Sequence, residues 1–501
     1  MERLKKDILG FKLPLYIATA LLLIAGYLII NNYYIDVYSI HLLMLVSVFG
    51  LVLFAARKGR YQILSDDEIL FYIVLAGCIV RIGYTLYNSA YVRAHDMSGF
   101  EDLYGVSKAS YLMQLVQLHQ LPQSNDVQLY HQPFSYIVSA VFCLAVQPFL
   151  KSDDVFYLGN AGKLASCFAS CGILFMIPKL CRCLKMKEKG IRYTTLLVAA
   201  FPVFFLISGR IGEDAFSCFF ALAAILYTLY WHKEASLKNT VFLAVIYGLG
   251  LQTNLSCALP AVFTVMVFIY HLASEKEKRG RFLCLYVLFG VISLPLGLWF
   301  YIRNYVLFGQ SFTYIYPQVV GSDIWCGDVS LWNRYKLLDI KNILASPFND
   351  PYSDYNLATY FLKSELFGEF TFSIPVWVPY ILLAVNLLIT AFAAGYCIYG
   401  AVKRRLEKNR CFIIGIALFD ILFVMYSFWK YPFGCSMDAR YFTVITVLKA
   451  VIIGFFLSDA EIMEQKKQGP AAKAEAVFST ALQYLIMIFA VFSFAMFCFI
   501  V

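Results

Sequence analysis

Residues 14–31 read PLYIATALLLIAGYLIIN, an apolar run that contains no charged side chain. A helix needs roughly 20 apolar residues to cross the hydrocarbon core of a bilayer. Further runs of this kind lie at 38–56, 69–86, 158–177, 193–208, 214–231, 256–272, 283–301, 376–400, 411–428, 441–457 and 478–500. A shorter run at 240–253 precedes the run at 256–272. The sequence therefore predicts an all-α polytopic membrane protein with about 13 transmembrane helices.

The composition excludes most other classes of protein. Of the 501 residues, 61% are hydrophobic and only 15% are charged, whereas about 25% are charged in an average soluble domain. This balance excludes an ordinary soluble enzyme, a disordered chain and a coiled coil. The 14 cysteines are scattered without metal-binding spacing, which is typical of small buried hydrophobic residues.

The charge pattern predicts the orientation in the membrane. The net charge of +9 lies mainly in short loops beside the apolar runs, so the positive-inside rule explains it better than nucleic-acid binding does. The basic residues before the first run place the N-terminus in the cytoplasm; they are Arg3, Lys5, Lys6 and Lys12.

Residues 134–150 are the ambiguous stretch. If they crossed the membrane, the basic cluster at 179–192 would lie outside, against the positive-inside rule. We therefore interpret 134–150 as an in-plane juxtamembrane helix at the outer interface. Later basic clusters then fall inside, and the C-terminus falls outside; these clusters are Lys233 and Lys238; Lys276, Lys278, Arg279 and Arg281; Lys403, Arg404, Arg405, Lys408 and Arg410; and Lys466, Lys467 and Lys473.

This topology predicts two long extracytoplasmic loops, at 88–157 and 302–375. In the first, His95-Asp96 follows directly on the exit of a predicted span, where a carboxylate can take a proton from an acceptor hydroxyl. Glu213 and Asp214 open another span from the outside. They are candidates for positioning an acceptor group, although capping of the helix is an alternative.

Several basic residues lie on the outer side, where the positive-inside rule disfavours them. They are Arg210, Arg303, Lys363, Lys430 and Arg440. The planar guanidinium of arginine pairs well with phosphate, so these residues suit a lipid-phosphate leaving group. Snorkelling at the membrane edge is an alternative for the two lysines. The aromatic residues of loop 302–375 favour either sugar stacking or an interfacial belt.

A set of short motifs follows the same order along the chain as in a known family. These are His95-Asp96, GVSKASY at 105–111, Leu121-Pro122, YHQPF at 130–134, SGRIGED at 208–214, GLGLQTNL at 248–255, Trp299-x-Tyr301-x-Arg303-Asn304, KSELFGEF at 363–370 and CSMDARY at 435–441. Together they resemble GT-C fold glycosyltransferases, and more narrowly the bacterial members of glycosyltransferase family 39. That family includes relatives of protein O-mannosyltransferases and aminoarabinose transferases. The match covers about residues 69–457.

The resemblance implies transfer of a sugar from a polyprenyl-phosphate sugar to an acceptor hydroxyl on the extracytoplasmic face. Asp96 would act as the base of an inverting displacement. Asp214, Glu213 and His95 would position the acceptor. The implied lipid-phosphate ligands are Arg303, Arg440, His131 and Lys363. The remaining donor and acceptor residues are Tyr130, Tyr111, Lys108, Arg210, Asp438, Tyr441 and Glu369.

The sequence departs from the family pattern at a few positions. Lys108 stands where relatives often have His, Asn254 where they have Lys, and Gln132 where they have Pro, and Gly212-Glu213 replaces an Asn pair. The change at 254 removes a phosphate contact that the resemblance would otherwise imply.

The resemblance predicts three regions. Residues 1–62 form two additional N-terminal helices, 63–460 form the catalytic membrane domain, and 461–501 form a cytoplasmic linker and the last helix. We expect a plasma-membrane protein, a glycan, glycolipid or protein acceptor, and no required cofactor. A divalent metal near Asp96, His95 and Glu213 stays open. The alternative functions are a lipid-linked glycan transporter or flippase and a non-catalytic glycan-binding scaffold.

Overall fold

The computed structural model describes residues 13–61, 64–403, 407–466 and 470–499. Some of the basic residues used to predict the orientation lie outside these ranges. They are Arg3, Lys5, Lys6, Lys12, Arg404, Arg405 and Lys467.

The described ranges contain α-helices, short 3-10 turns and no β-strand. In chain order the α-helices are α1 (Leu13–Asn32), α2 (Val37–Tyr61), α3 (Asp66–Tyr87), α4 (Lys108–Gln117), α5 (Phe134–Val146), α6 (Val155–Asn160), α7 (Lys163–Cys183), α8 (Glu188–Ala200), α9 (Pro202–Ser208), α10 (Asp214–Lys233), α11 (Leu237–Leu251), α12 (Ala261–Ser274), α13 (Arg279–Phe308), α14 (Leu331–Tyr335), α15 (Ile340–Ala345), α16 (Leu357–Phe367), α17 (Trp377–Val402), α18 (Lys408–Lys430), α19 (Thr443–Lys466) and α20 (Pro470–Phe499). The 3-10 turns are Gln147–Phe149, Leu255–Ala258, Lys276–Lys278, Gly434–Met437 and Ala439–Phe442.

Within the described ranges, 11 helical segments are long and apolar enough to cross a membrane, and α8 with α9 makes a possible twelfth. The prediction of an all-α polytopic membrane protein is therefore confirmed. The count of about 13 stays a prediction, because the run at 240–253 lies in α11, which is shorter than a span. The stretch at 134–150 is likewise a short apolar helix, α5, followed by a 3-10 turn.

Helices α8 and α9 form one apolar segment with a bend of 48°. Pro202 begins α9 and has no N–H to continue the hydrogen bonds of α8. Phe201, the residue before it, has φ −64° and ψ 121°, the extended conformation that a following proline favours. The bend thus follows from one proline.

The helices cluster into two compact units. The first comprises residues 1–40, 81–179 and 207–316, as far as they are described. Its core holds the fully buried Trp231, whose Nε1 donates to Thr240 Oγ1 at 2.9 Å, and the stacked rings of Phe268 and Tyr286, 4.5 Å apart. These contacts join α10, α11, α12 and α13, and so fix α10, whose first residue is Asp214.

The second unit comprises residues 41–80, 180–206 and 317–501, as far as they are described. In it α8 packs closely on α19, because both helices carry glycine at the contact. A side chain on Gly454 would overlap Thr194 Oγ1, and one on Gly190 would meet the carbonyl oxygen of Gly454. Small residues allow this close approach between membrane helices.

A buried ion pair joins three helices of the second unit. Lys449 Nζ on α19 lies 2.5 Å from Glu365 Oε2 on α16, and it also donates to Asn386 Oδ1 on α17 at 3.0 Å. Thr446 donates to the other Glu365 oxygen at 2.7 Å. Both charges are therefore hydrogen-bonded, as buried charges must be. The network fixes the orientation of α16.

We expect Gly454→Ala to lower the free energy of unfolding by about 1–3 kcal/mol, since the added methyl group overpacks the α8–α19 contact. Unfolding in mixed detergent micelles measures this. Gly395→Ala on α17 is the matched control, because no atom lies within 4 Å of its added methyl group, and it should change stability by less than about 0.5 kcal/mol. Equal effects of the two substitutions would contradict the packing account.

Candidate functional site

Asp96 lies in the segment between α3 and α4, held against the start of α4. The backbone N–H of Lys108, the first residue of α4, donates to the Asp96 carbonyl oxygen at 3.0 Å. Asp96 has φ +60°, a left-handed conformation that is uncommon outside glycine but better tolerated by Asp. Its carboxylate is exposed. The backbone is thus held in an unusual conformation while the carboxylate remains accessible.

His131 lies beside Tyr111 and Tyr130, with 15% of its side chain exposed. The Tyr111 hydroxyl donates to the His131 carbonyl oxygen at 3.1 Å, and the Tyr130 ring stacks on the imidazole with centroids 4.3 Å apart. Burial raises the pKa of the Tyr111 phenol, so the hydroxyl keeps its proton and donates. These contacts fix the position of the imidazole.

The turn before α10 supplies the acidic partner of His131. Glu213 is only 2% exposed, and its Oε1 lies 3.6 Å from His131 Nδ1. Gly212 has φ +151°, which favours glycine, and a side chain there would contact Lys108 Nζ. Asp214, also buried, begins α10. Residues from three segments therefore meet around His131.

The charged groups near His131 shift its pKa in opposite directions. Burial lowers the pKa of the imidazole, and Glu213 opposes that change. Lys108 lowers the pKa further, whereas Asp96 and Asp214 raise it. The contacts of Lys108 with Asp96 and with the Gly212 turn, and of Glu213 with His131, bring together Asp96, Lys108, His131, Glu213 and Asp214, all of which were predicted site residues. We refer to these five residues as the His131 cluster.

Two predicted arginines of the first unit support its loops. Arg303 Nη2 donates to the Pro122 carbonyl oxygen at 2.6 Å, and its Nη1 donates to Asn304 Oδ1 at 2.8 Å. Arg210 Nε donates to the Arg93 carbonyl oxygen at 2.9 Å. These donors hold the 88–134 segment, and binding of phosphate by Arg303 stays a prediction.

Asn254, noted above as a departure from the motif pattern, has a local role. Its Oδ1 accepts a hydrogen bond from the Ser256 N–H at 2.9 Å and so caps the turn Leu255–Ala258. The short amide side chain suits this cap.

In the second unit, Lys363 is fully buried, and its Nζ donates to Asn342 and to the Phe348 carbonyl oxygen. Asp354 Oδ2 lies 3.6 Å away. Burial lowers the pKa of Lys363, which Asp354 opposes. These partners connect α16 to the segment before it, so a role toward lipid phosphate stays a prediction.

The other predicted residues of the second unit form a second group. Arg440 Nη2 donates to the Tyr441 hydroxyl at 2.8 Å, and its Nε lies 3.6 Å from Asp438 Oδ2. Tyr360, one of the aromatic residues of the predicted loop 302–375, donates to Glu369 Oε1 at 2.7 Å. Burial and then Glu369 raise the pKa of Tyr360.

Tyr136 is a residue that sequence reasoning missed. It lies on α5 and stacks on Tyr111, with centroids 4.1 Å apart and an interplanar angle of 12°. Its side chain is fully buried. The available signal was its position three residues after Pro133, just beyond the motif YHQPF at 130–134.

Among the described residues, no group of three His, Cys, Asp or Glu side chains is placed to hold a metal ion. His95, Asp96 and Glu213, the set that the sequence left open, do not form such a group.

No protein-family model and no curated protein matches the chain. Several solved structures resemble the chain. The oligosaccharyltransferase of Archaeoglobus fulgidus, in its apo form, has 11% identity and a TM-score of 0.48 over 86% of this chain. This chain spans only 56% of that protein's length.

ArnT from Cupriavidus metallidurans in the apo state has 12% identity and a TM-score of 0.45, over 85% of this chain and 75% of that one. The same protein bound to undecaprenyl phosphate has 15% identity and a TM-score of 0.36, over 79% of this chain and 80% of that one. These proteins are GT-C glycosyltransferases, the class that the sequence motifs resemble. The likeness concerns the arrangement of helices alone.

We expect Glu213→Gln to lower the pKa of His131 further below its usual value, because it removes the charge that opposes burial. Nitrogen-15 NMR of labelled histidine measures this pKa, with the resonance assigned by His131→Gln. Because the His131 pKa is lower in the folded protein than in the unfolded chain, the unfolded chain binds this proton more tightly. The free energy of unfolding therefore decreases as pH falls below the usual histidine pKa. Glu213→Gln should make this decrease larger.

The control for this measurement is Glu101→Gln, an exposed carboxylate of the same long loop, which should leave the His131 pKa unchanged. If the His131 pKa is unchanged or raised in Glu213→Gln, Glu213 does not stabilise the protonated imidazole at 3.6 Å.

Proposed function

We propose that this protein is a membrane glycosyltransferase, which moves a sugar from a polyprenyl-phosphate sugar to an acceptor hydroxyl on the extracytoplasmic face. The observation that carries the proposal is a chain of contacts: the Lys108 N–H donates to the Asp96 carbonyl oxygen at 3.0 Å, Lys108 Nζ lies beside Gly212, and Glu213 Oε1 lies 3.6 Å from His131 Nδ1. An accessible carboxylate near a lysine and a histidine provides a base, a cation and a hydrogen-bonding imidazole in one place. The motifs that supply these residues are those that resemble the GT-C family.

Asp96 is the proposed base. Its exposed carboxylate accepts the proton of the acceptor hydroxyl while that oxygen attacks the anomeric carbon. The bond from the anomeric carbon to the phosphate oxygen breaks, and the lipid phosphate leaves with the electron pair. One displacement of this kind inverts the anomeric configuration. The hydrogen bond from Lys108 N–H to Asp96 holds the base in place for it.

Lys108 and His131 are the proposed partners of the leaving phosphate. Lys108 forms no ion pair with a described residue, so its charge is available to a ligand. Stabilising the charge that develops on a leaving group is commonly the largest catalytic contribution. This assignment places Lys108 alongside the ligands implied by the resemblance; Arg303, Arg440 and Lys363 stay predictions in that role.

Glu213 and the two tyrosines have supporting roles in this proposal. Glu213 faces His131 Nδ1, which favours a proton on that nitrogen and leaves Nε2 to face the substrate. The Tyr130 ring lies on the imidazole and in edge contact with Tyr314, 5.4 Å away. Its pKa is raised by burial and by Glu213, so the phenol is neutral and suited to hydrogen bonding with a sugar. The acceptor is a glycan, a glycolipid or a protein.

We expect Asp96→Asn to lower transfer by about 10²–10⁴-fold, the usual contribution of a general base, without changing the fold. Mass spectrometry of lipids that co-purify with each form tests this. The variant should retain an intact polyprenyl-phosphate sugar, whereas the wild type should retain spent lipid phosphate.

The matched control is Asp126→Asn, an exposed carboxylate of the same loop, which should behave as the wild type does. If no form retains a polyprenyl phosphate, the donor assignment is wrong. If wild type and Asp96→Asn retain the same intact donor, the protein binds the glycan without transferring it.

We expect Lys108→Gln to lower transfer by about 10²-fold and to weaken inhibition by polyprenyl phosphate, while Lys108→Arg retains most of both. Asp96→Asn should lower transfer without weakening that inhibition, because the base does not bind phosphate. If polyprenyl phosphate inhibits Lys108→Gln as strongly as the wild type, Lys108 does not bind the leaving phosphate.

A further inference from the structure

A buried arginine outside the His131 cluster has no acidic partner among the described residues. Arg334, on α14 in the second unit, is only 6% exposed. Its Nε and Nη1 are enclosed without a hydrogen-bond acceptor, and no described carboxylate forms an ion pair with it. A buried charge without a partner is strongly unfavourable, so an anion bound to this guanidinium would stabilise it.

The neighbours of Arg334 do not neutralise it. The guanidinium lies 5.7 Å from the Tyr335 ring centroid and 5.5 Å from that of Phe428. Burial raises the pKa of the nearby Cys326 thiol to about 12, although Arg334 lowers it. Burial likewise raises the pKa of Tyr335. Both groups therefore stay protonated at neutral pH, and the positive charge is uncompensated.

An apolar groove of about 590 Å³ lies next to this arginine and shares Tyr335 with it. Its lining comes from α14 and from the C-terminal end of α18, and comprises Leu331, Trp332, Tyr335, Met425, Tyr426 and Trp429. The Tyr335 hydroxyl donates to the Met425 carbonyl oxygen at 3.0 Å, which fastens the two helices together. Trp332 is 76% exposed, so the groove is open.

The position of the groove matches the edge of a bilayer. Helix α18 is one of the candidate membrane spans, and the groove occupies its last turns. Tryptophan and tyrosine favour this boundary, where an aromatic belt is the simplest explanation. A belt does not account for a buried, unpaired guanidinium beside it. Lys430, which follows Trp429, is exposed and adds a second positive charge without an ion pair among the described residues.

We propose that this groove binds an anionic phospholipid, with an acyl chain along the aromatic lining and the phosphate paired with Arg334. Nη2 is the one guanidinium nitrogen outside the enclosed pair, so it is the atom that the phosphate first meets. The phosphate supplies the charge that the protein does not, and the groove supplies apolar surface for the chain. This site is independent of the sugar transfer proposed for the His131 cluster.

The test uses the full-length protein in detergent and phosphatidic acid with brominated acyl chains, which quench nearby tryptophans. Brominated diacylglycerol, which has the same chains without phosphate, is the comparison. We expect the wild type to bind the phosphatidic acid at least about tenfold more tightly, as a charge-assisted hydrogen bond provides. Arg334→Gln should abolish this preference, and Arg334→Lys, which keeps the charge, should retain part of it.

Lys336→Gln is the matched control, because Lys336 lies two residues away and is already paired with Asp339 at 3.1 Å; its preference should match that of the wild type. Both tryptophans remain in all these variants, so the readout is the same throughout. An undiminished preference in Arg334→Gln would overturn the proposal. The phospholipid assignment would also be overturned if inorganic phosphate displaced the brominated phosphatidic acid as well as unlabelled phosphatidic acid does, or if a polyprenyl phosphate displaced it more strongly.

Discussion

The contact between one buried carboxylate and one histidine organises the candidate site. Glu213 is enclosed at the start of α10, where water cannot solvate its charge. Its Oε1 lies 3.6 Å from His131 Nδ1, and the imidazole is in turn fixed by Tyr111 and Tyr130. Lys108 completes the arrangement, because it reaches the Gly212 turn with its side chain and holds Asp96 with its backbone. Glu213, His131, Lys108 and Asp96 are thus connected through these contacts.

The sequence predicted the membrane class and named the members of the His131 cluster as candidates, since long apolar runs and polar motifs between them are local signals. It could not predict how each cation is used. Arg303 was singled out for its charge, yet its donors are engaged by the Pro122 carbonyl oxygen and by Asn304. Lys108 was noted as a departure from the family, and only the fold places it beside Gly212. Hydrogen bonds between distant segments decide these roles, and no periodicity encodes them.

Buried charges recur in this molecule and are resolved in different ways. Glu365 and Lys449 neutralise each other within a network that hydroxyl and amide groups complete. Such a pair orients helices and leaves no charge for a ligand. Arg334 has aromatic rings and protonated groups as its neighbours among the described residues. The second case is the one in which a ligand can supply the missing charge, and the distinction could not be made from residue types alone.

In the proposed mechanism the leaving phosphate lies beside His131, whatever sugar is transferred. Histidine NMR with added polyprenyl phosphate tests this directly, because that lipid is the product for every donor of the class. A bound phosphate should raise the pKa of His131, since an adjacent anion favours the protonated imidazole, while the corresponding alcohol should leave it unchanged. Binding of the lipid phosphate with no change in the His131 pKa would contradict the account.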